Sequence, residues 1–157
     1  GDIGEIDSDG FLKITDRKKS MFKTSGGKYV APQLLENAMK QSGFIEQILV
    51  VGDGEKMPAA LIQPNWEFIE EWSKRKDKGI PTDPKEAIKS EKLINRIQKE
   101  IDRYNATFGK WEMIKTFQLT PDVWSIEAGH LTPTMKAKRK VIKEMYKDLY
   151  EKLYGRA

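Results

Sequence analysis

Two segments of this 157-residue chain concentrate the residue types that could bind a ligand or act in a reaction: lysine, arginine, aspartate and glycine. The first covers residues 1–32 and the second covers residues 131–139. These residue types hold phosphates, ribose hydroxyls and negative charge that develops during a reaction. The two segments therefore favour chemistry on a phosphorylated ligand.

Other common chemistries lack the residues that they need. The chain has no cysteine and a single histidine, His130, so it can build neither a disulfide scaffold nor a zinc site on thiolates. It contains no Ser-His-Asp set and no glycine-rich nucleotide loop of the Gly-x-Gly-x-x-Gly or Walker type. We expect no metal site, and we expect His130 to lie in a solvent-exposed loop.

The net charge of +4 is a local feature. Residues 1–135 carry 20 basic and 21 acidic side chains, whereas residues 136–157 carry 8 and 3. From spacing alone, a solvated basic helix face and an anion site are both open. A basic module that binds nucleic acid or an anionic surface is a further alternative. Nucleic acid is disfavoured, because the tyrosines of the last predicted helix fall on its apolar stripe.

Length and composition limit the class of protein. The length suits one domain with a single core. The composition, 38% hydrophobic and 33% charged, is that of a polar soluble protein, and no run approaches the ~18 apolar residues of a membrane span. The lack of cysteine and of a signal-peptide pattern favours the cytoplasm. Because the chain begins with Gly1, we expect a piece of a longer protein.

Extended segments and turns predict the strands. Alternating residues around Asp9-Gly10 predict a β-hairpin over residues 3–15, and polar residues 16–20 predict a connector. The paired glycines after Ser25 permit either a sharp turn or close approach of a ligand to the backbone. Runs of β-branched and apolar residues predict strands at 45–51, 59–63 and 112–119.

Helical periodicity and caps predict the remaining elements. Helices are expected from Pro32, after Asn65, from Pro84 to residue 108, and over residues 137–153. The core stripes of the middle two helices are predicted to contain Trp66, Ile69, Trp72, Leu93, Ile97 and Ile101. This order predicts an α+β fold with a small sheet of about three strands covered by helices, preceded by a β-hairpin and a hinge.

Several motifs, in order along the whole chain, resemble the C-terminal part of the adenylate-forming acyl-CoA ligases, and in particular the AMP-forming long-chain fatty acid–CoA ligases. The motifs are Gly1-Asp2, Asp9-Gly10-Phe11, Ile14-Thr15-Asp16-Arg17-Lys18-Lys19, Lys23-Thr24-Ser25-Gly26-Gly27-Lys28-Tyr29-Val30-Ala31-Pro32, Leu35-Glu36 and Leu131-Thr132-Pro133-Thr134-Met135-Lys136-Ala137-Lys138-Arg139.

The resemblance implies a two-step reaction. A fatty acid carboxylate attacks the α-phosphate of ATP, and the thiol of coenzyme A then displaces AMP from the acyl-adenylate. ATP would bind together with Mg²⁺. Most of the ligands of this ion would come from a large N-terminal adenylation domain. Residues 1–18 would be a hairpin at the end of that domain, and residues 19–157 a mobile C-terminal domain. The chain would be nearly inactive alone, and the complete enzyme could associate peripherally with membranes.

The resemblance also implies roles for individual residues. Lys136 would be the catalytic lysine of acyl-adenylate formation. Asp2 and Arg17 would contact the nucleotide, and Lys19 would be the hinge between two poses of the domain. The pantetheine arm of coenzyme A would pass along Ser25, Gly26, Gly27 and Lys28.

Some positions depart from the family pattern or have two interpretations. Met135 stands where many relatives have glycine, which would stiffen the loop before Lys136. The glycine segment is one residue longer than in shorter-chain relatives, so the pantetheine contact falls on Gly26 or Gly27. The basic residues Lys138, Arg139 and Lys140 serve either coenzyme A phosphates or a solvated helix face. The sequence assigns no role to Trp111 and Trp124.

Overall fold

The computed structural model describes residues 21–156, and the structural findings below concern that part of the chain. The predicted hairpin over residues 3–15 lies outside it. So do the predicted nucleotide contacts at Asp2 and Arg17 and the predicted hinge at Lys19.

Five strands and six helices form within the described residues. The strands are β1 (Phe22–Lys23), β2 (Tyr29–Val30), β3 (Ile45–Val51), β4 (Ala59–Pro64) and β5 (Thr116–Leu119). The helices are α1 (Pro32–Met39), α2 (Trp66–Lys76), α3 (Pro84–Ala87), α4 (Glu91–Asn105), α5 (Arg139–Met145) and α6 (Lys147–Leu153). In residues 21–156, no helix is both long enough and apolar enough to cross a bilayer.

A three-stranded sheet in the order β3-β4-β5 organises the chain. Strands β3 and β4 are antiparallel, with Ile48 opposite Ile62, whereas β4 and β5 are parallel. A parallel pair needs a long crossover connection, and helices α2, α3 and α4 lie within it. Strands β1 and β2 form a separate antiparallel pair. The predicted α+β fold with a sheet of about three strands is confirmed.

Both faces of this sheet are buried, and the side chains of β3 alternate between two cores. The first core contains Val30, Leu35, Met39, Phe44, Ile45, Ile48, Val50, Ala60, Ile62, Ile69, Trp72, Ile80, Ala87, Leu93, Ile97, Ile101, Ile114 and Leu119. The second core contains Leu49, Val51, Ala59, Leu61, Trp124, Leu131, Ile142, Tyr150 and Leu153. A strand segment buried on both faces has no polar side, which explains the continuous apolar runs Ile48–Val51 in β3 and Ala59–Ile62 in β4.

The central helices follow their predicted stripes but not their predicted lengths. Ile69, Trp72 and the α4 stripe are buried in the first core, and Trp66 packs against it partly buried. The single helix predicted from Pro84 to residue 108 is wrong. Helix α3 ends at Ala87, and the Ser90 side chain then accepts a hydrogen bond from the Leu93 amide and begins α4 as a new cap.

The last predicted helix is also divided. At Tyr146 the backbone leaves the helical region, with φ −111° and ψ 36°, and separates α5 from α6. The predicted strand over 112–119 begins only at Thr116, because the amides of Glu112 and Met113 form a turn on the carbonyl of Gly109. Periodicity continues through such breaks, so it does not reveal them.

Candidate functional site

Residues 24–28, here called the glycine loop, connect β1 to β2. Strand register places Phe22 opposite Val30, and the Gly27 amide donates to the Thr24 carbonyl at 2.9 Å. Gly27 has a φ of +84°, a left-handed conformation that glycine adopts without strain. The paired glycines therefore make a sharp turn, one of the two possibilities that the sequence left open. All four predicted pantetheine residues in this loop are exposed.

The glycine loop is fixed to the turn between β3 and β4. The Ser25 amide donates to the Glu55 carbonyl at 2.8 Å, and the Gly54 amide donates to the Lys23 carbonyl at 2.9 Å. The Glu55 carboxylate in turn accepts two hydrogen bonds from Arg156, each 2.9 Å. This Arg156 pairing lowers the pKa of Glu55. The end of the chain thus supports the turn on which the glycine loop rests.

Residues 132–136, here called the lysine loop, form a tight turn that exposes Lys136. Leu131 pairs with Ala137 across the base of the turn. The Thr132 amide donates to the Lys136 carbonyl at 2.8 Å, and the Lys136 amide donates to Thr132 Oγ1 at 3.0 Å. In residues 21–156, Lys136 Nζ has no hydrogen-bonding or ion-pair partner.

Met135 occupies the turn of the lysine loop with a φ of +66°. This left-handed conformation strains a side chain with a Cβ, by roughly 1–2 kcal/mol, but costs glycine little. Met135 is therefore strained, while the expectation that it stiffens the loop stays a prediction. The Met135 amide donates to the Thr132 carbonyl at 2.8 Å and holds the strained turn closed.

Arg139, three residues after the lysine loop, is a structural residue. Its guanidinium donates to Glu36 Oε1 at 2.7 Å and to the Val50 carbonyl at 3.1 Å. The other Glu36 oxygen accepts from the Val50 amide at 2.8 Å, so the pair satisfies the outer edge of β3. Burial raises the pKa of Glu36 above its usual value despite the arginine. Neither predicted use of Arg139, a solvated face or a phosphate contact, describes this position.

His130 is buried, at 6% exposure, so its predicted place in a solvent-exposed loop is wrong. Its Nδ1 accepts from the Ser125 amide at 3.2 Å, and its Nε2 lies 3.2 Å from the Tyr146 hydroxyl oxygen. The Tyr146 hydroxyl donates to Asp122 at 2.8 Å. One tautomer satisfies all three contacts: the neutral ring carries its proton on Nε2 and donates it to the Tyr146 oxygen.

This hydrogen-bonded chain supports the base of the lysine loop. The His130 carbonyl accepts from the Lys138 amide at 2.8 Å, and the imidazole stacks beside Trp124 with ring centroids 6.0 Å apart. Burial lowers the pKa of His130. Burial and the bond to Asp122 raise the pKa of Tyr146 to about 12. The turn residues around His130 predict an exposed side chain. Its burial could not be predicted, because no local sequence pattern marks the residues that cover the ring.

The two loops are rooted on opposite faces of the sheet. Val30, which follows the glycine loop, is buried in the first core. Leu131 and Ile142, which flank the lysine loop, are buried in the second. Within the described part of the chain, no hydrogen bond or ion pair joins one loop to the other. The residues next to the predicted catalytic lysine and next to the predicted pantetheine residues therefore belong to different cores.

Comparison with known proteins connects these surfaces to a family. The family model described as the AMP-binding enzyme C-terminal domain matches residues 20–157. The chain belongs to this family. The resemblance drawn from the sequence motifs is thus confirmed, while the roles of individual residues stay predictions.

Curated relatives are similar to this chain over almost its whole length. The long-chain-fatty-acid–CoA ligase FadD15 of Mycobacterium tuberculosis is 37% identical over 156 residues, which are 99% of this chain and 26% of that protein. Fatty acyl-CoA synthetase B of Dictyostelium discoideum is 38% identical over 161 residues, covering 99% and 23%. This chain therefore spans about a quarter of the length of these relatives.

Solved structures show the same fold in adenylating enzymes. The adenylation domain of a carboxylate reductase from Mycobacterium chelonae matches with a TM-score of 0.70 and 26% identity. That match covers 88% of this chain and 20% of the reductase chain. A fatty acyl CoA synthetase of Mycobacterium tuberculosis matches with a TM-score of 0.51 at 15% identity, which is a similarity of fold.

Proposed function

We propose that this chain is the mobile C-terminal domain of an ATP-dependent long-chain fatty acid–CoA ligase, in which its two exposed loops serve different half-reactions. The observation that carries the proposal is that the residues next to the two loops pack in different cores, Val30 in the first and Leu131 in the second. Because the loops adjoin different cores, we infer that the domain reorients to bring each loop in turn to one active centre. The relatives named as long-chain ligases, 37% and 35% identical over nearly the whole chain, support the substrate class.

In the first half-reaction, Lys136 acts on charge. The fatty acid carboxylate forms a bond to the α-phosphorus of ATP, and pyrophosphate leaves. Negative charge develops around that phosphorus, and the ammonium group of Lys136 stabilises it. The turn hydrogen bonds to Thr132 fix the backbone that carries the lysine. Removing one preorganised donor of this kind typically slows a reaction by about 10²–10³-fold.

In the second half-reaction, the glycine loop lines the path of the thiol. The sulfur of coenzyme A forms a bond to the acyl carbon, and AMP leaves. A Cβ at Gly26 would meet no heavy atom closer than 4.0 Å, and Gly26 does not have a positive φ. The packing of the domain therefore does not require glycine there, whereas the turn does require it at Gly27. This difference supports Gly26 as the position that a ligand approaches closely.

The segment that contains Lys136 is richer in exposed apolar side chains than the rest of the described chain. Nine large hydrophobic side chains are exposed in residues 21–156, and five of them lie between residues 123 and 145. These five are Val123, Ile126, Met135, Val141 and Met145. Exposed apolar side chains concentrated in one region mark interaction surfaces. We propose that these side chains contact the N-terminal adenylation domain. That domain would also bind the fatty acid and ATP, and it would supply most of the Mg²⁺ ligands.

Replacing Lys136 with Ala in the complete ligase tests the proposal. We expect fatty-acid-dependent pyrophosphate release to fall by about 10²–10³-fold. Thioester formation from supplied acyl-adenylate and coenzyme A should stay near the wild-type rate. Lys140→Ala is the matched control, because Lys140 is an exposed lysine on the adjoining helix. Equal loss of both half-reactions in Lys136→Ala, or an equal defect in the control, would overturn the assignment.

A further inference from the structure

A cationic cleft lies between the C-terminal end of α2 and one face of α4. Its volume is about 360 Å³, which is within the size range of small-molecule sites. Among residues 21–156, the charged side chains of its lining are four lysines, one arginine and one aspartate: Lys76, Lys78, Lys92, Lys99, Arg96 and Asp77. In the same part of the chain, no residue of the glycine loop or the lysine loop lines the cleft.

Folding, rather than composition, concentrates this charge. Residues 66–105 carry 10 basic and 9 acidic side chains, so the sequence of this region is nearly neutral. On α4, Lys92, Arg96 and Lys99 recur at steps of four and three, which places them on one face of the helix. The end of α2 brings the other two lysines to the same cleft. The packing of the two helices thus gathers basic side chains that the sequence intersperses with acids.

Hydrogen bonds fix the backbone at the end of α2. Asp77 ends this helix in a left-handed conformation, with φ 52° and ψ 48°. The Lys78 amide donates to the Ser73 carbonyl at 2.9 Å, and the Ile80 amide donates to the Ser73 hydroxyl oxygen at 2.9 Å. From α4, the Lys92 ammonium donates to the Lys78 carbonyl at 3.2 Å. An ammonium group has three donors, so two of them stay available to a ligand.

The lysines of the cleft are not neutralised by acidic partners. In residues 21–156, none of the four forms an ion pair, whereas Arg96 pairs with Glu100 at 2.7 Å. The Lys78 ammonium instead lies 5.9 Å from the centroid of the Trp72 ring. Trp72 is 8% exposed and belongs to the first core, so it gives the cleft a wall of low polarity. Charges of one sign beside such a wall raise the local concentration of ions of opposite charge.

Helix-end effects explain only part of this cluster. Lys76 lies in the last turn of α2, where the helix dipole favours a cation. Lys92 lies in the first turn of α4, where the dipole disfavours one, and Lys99 lies in the middle of that helix. Like charges four residues apart, as at Lys92 and Arg96, also destabilise a helix. A bound anion offsets both unfavourable terms.

We infer that this cleft binds a soluble anion that carries several phosphate groups. Lysine ammonium groups pair with phosphate oxygens as point charges, and several of them suit an anion whose charge is spread over several phosphates. A concave site closes around a small molecule, whereas a bilayer meets a protruding surface. Of the large hydrophobic side chains exposed in residues 21–156, none lines the cleft, so none there is placed to insert into a bilayer. This site is additional to both proposed half-reactions.

Titration of the 157-residue chain with sodium tripolyphosphate, followed by the chemical shifts of its backbone amides, tests this inference. We expect saturable shifts that are concentrated at residues 76–78 and 92–99. In the double variant Lys78→Gln/Lys92→Gln, the dissociation constant should rise about ten-fold, because two ammonium–phosphate contacts are lost. The spectra without ligand show whether each variant keeps the fold.

The matched control is Lys74→Gln/Lys89→Gln, which removes the same charge from two exposed lysines outside the cleft. These lysines pair with Glu70 and Glu86. The dissociation constant of the control should stay within about two-fold of the wild-type value, because salt screens distant charges. An equal rise in the two double variants, or shifts as large at residues 136–147 as at the cleft, would overturn the inference.

Sedimentation with phosphatidylglycerol vesicles distinguishes a soluble phosphate from a lipid headgroup. We expect vesicle binding to be equal in Lys78→Gln/Lys92→Gln and in the control. A loss of vesicle binding confined to Lys78→Gln/Lys92→Gln, together with no saturable response to tripolyphosphate, would identify lipid headgroups as the ligand and overturn the inference. The absence of any saturable response to tripolyphosphate would overturn it as well.

Discussion

The glycine loop and the lysine loop are both exposed turns, but different groups hold them. Backbone hydrogen bonds fix the glycine loop to its neighbour, through Ser25 and Gly54. Inside each loop, backbone bonds and a threonine hydroxyl, of Thr24 or Thr132, close the turn. Beyond the lysine loop, the Arg139 side chain adds an anchor to Glu36 and the Val50 carbonyl. Backbone bonds survive most substitutions, whereas side-chain bonds depend on residue identity. The two loops should therefore respond very differently to mutation.

Their left-handed residues show the same contrast. The glycine loop places Gly27 at φ +84°, where glycine costs little, and the lysine loop places Met135 at φ +66°, where methionine is strained. The lysine loop keeps this strained conformation because two backbone bonds and the bond to the Thr132 hydroxyl close the turn around Met135. Three changes should each alter the free energy of unfolding in a loop-specific way: breaking an anchor of the lysine loop, relaxing its strain, and adding strain to the glycine loop.

The largest effect is expected from Arg139→Met. Removing the guanidinium leaves the buried Glu36 carboxylate and the Val50 carbonyl without their partner. We expect the free energy of unfolding to fall by about 3 kcal/mol. Urea denaturation of the 157-residue chain measures it, and Lys140→Met, one residue further on, should change stability by less than about 0.5 kcal/mol. Similar values for the two variants would show that the clamp does not hold the lysine loop.

A pair of glycine substitutions tests the other loop. Gly27→Ala should destabilise the chain by about 1–2 kcal/mol, because alanine disfavours a φ of +84°. Gly26→Ala should cost less than about 0.5 kcal/mol, since its new Cβ has space and its φ is not positive. The same denaturation assay compares them. A larger cost at Gly26 than at Gly27 would contradict the turn geometry.

Relaxing the strained turn should have the opposite sign. Met135→Gly is expected to stabilise the chain by up to about 1 kcal/mol, since relief of strain slightly exceeds the added freedom of the unfolded chain. Thr134→Gly, one residue earlier, has no strain to relieve and loses the contact between the Thr134 and Thr132 hydroxyls, so it should destabilise. Thermal unfolding distinguishes the two signs. Destabilisation by Met135→Gly would show that residue 135 is not strained.

The smallest effect concerns pH. Because burial lowers the pKa of His130, the unfolded chain binds the proton more readily than the folded one. The contribution of the neutral His130 ring to folding stability is complete above pH 6.5, the usual pKa of histidine. It is lost as the pH falls through the lowered pKa of the folded state. Between pH 7.5 and pH 5.5, the melting temperature of the wild type should therefore fall more than that of His130→Asn. In this variant, the amide oxygen of the new side chain can still accept the hydrogen bond from the Ser125 amide.

The comparison with the variant is needed because Glu36 acts in the opposite direction. Its raised pKa makes the folded chain bind a proton more readily, so protonation of Glu36 stabilises as pH falls. Glu36 is present in both chains and cancels in the difference. Equal pH dependence of the two melting temperatures would contradict the buried neutral imidazole.

Local signals explain which features the sequence could predict. Strands β3 and β4 are apolar runs bounded by turn residues, and α4 has a regular stripe, so their existence follows from pattern alone. The bonds from Arg139 join residues 89 and 103 positions away, to Val50 and Glu36. No local pattern encodes such partners. For the same reason, the basic run that contains Arg139 predicts an exposed side chain there.

The candidate site shows the same limit. The glycine pair predicted a turn or a ligand approach, and only the observed φ values and free space separated Gly27 from Gly26. Similarly, the structure places the Trp111 ring beside Lys28, a contact that the sequence did not predict. Motifs indicated which residues to consider, while tertiary packing determined how each is held.

The central claim is that the two loops serve different half-reactions. The most direct measurement is single-turnover kinetics of both half-reactions in the complete ligase, with Lys136→Ala and Gly26→Val side by side. We predict that Lys136→Ala slows acyl-adenylate formation by about 10²–10³-fold and spares thioester formation. Gly26→Val should do the reverse, because its side chain obstructs the thiol path. If both variants slow the same half-reaction, the account is contradicted.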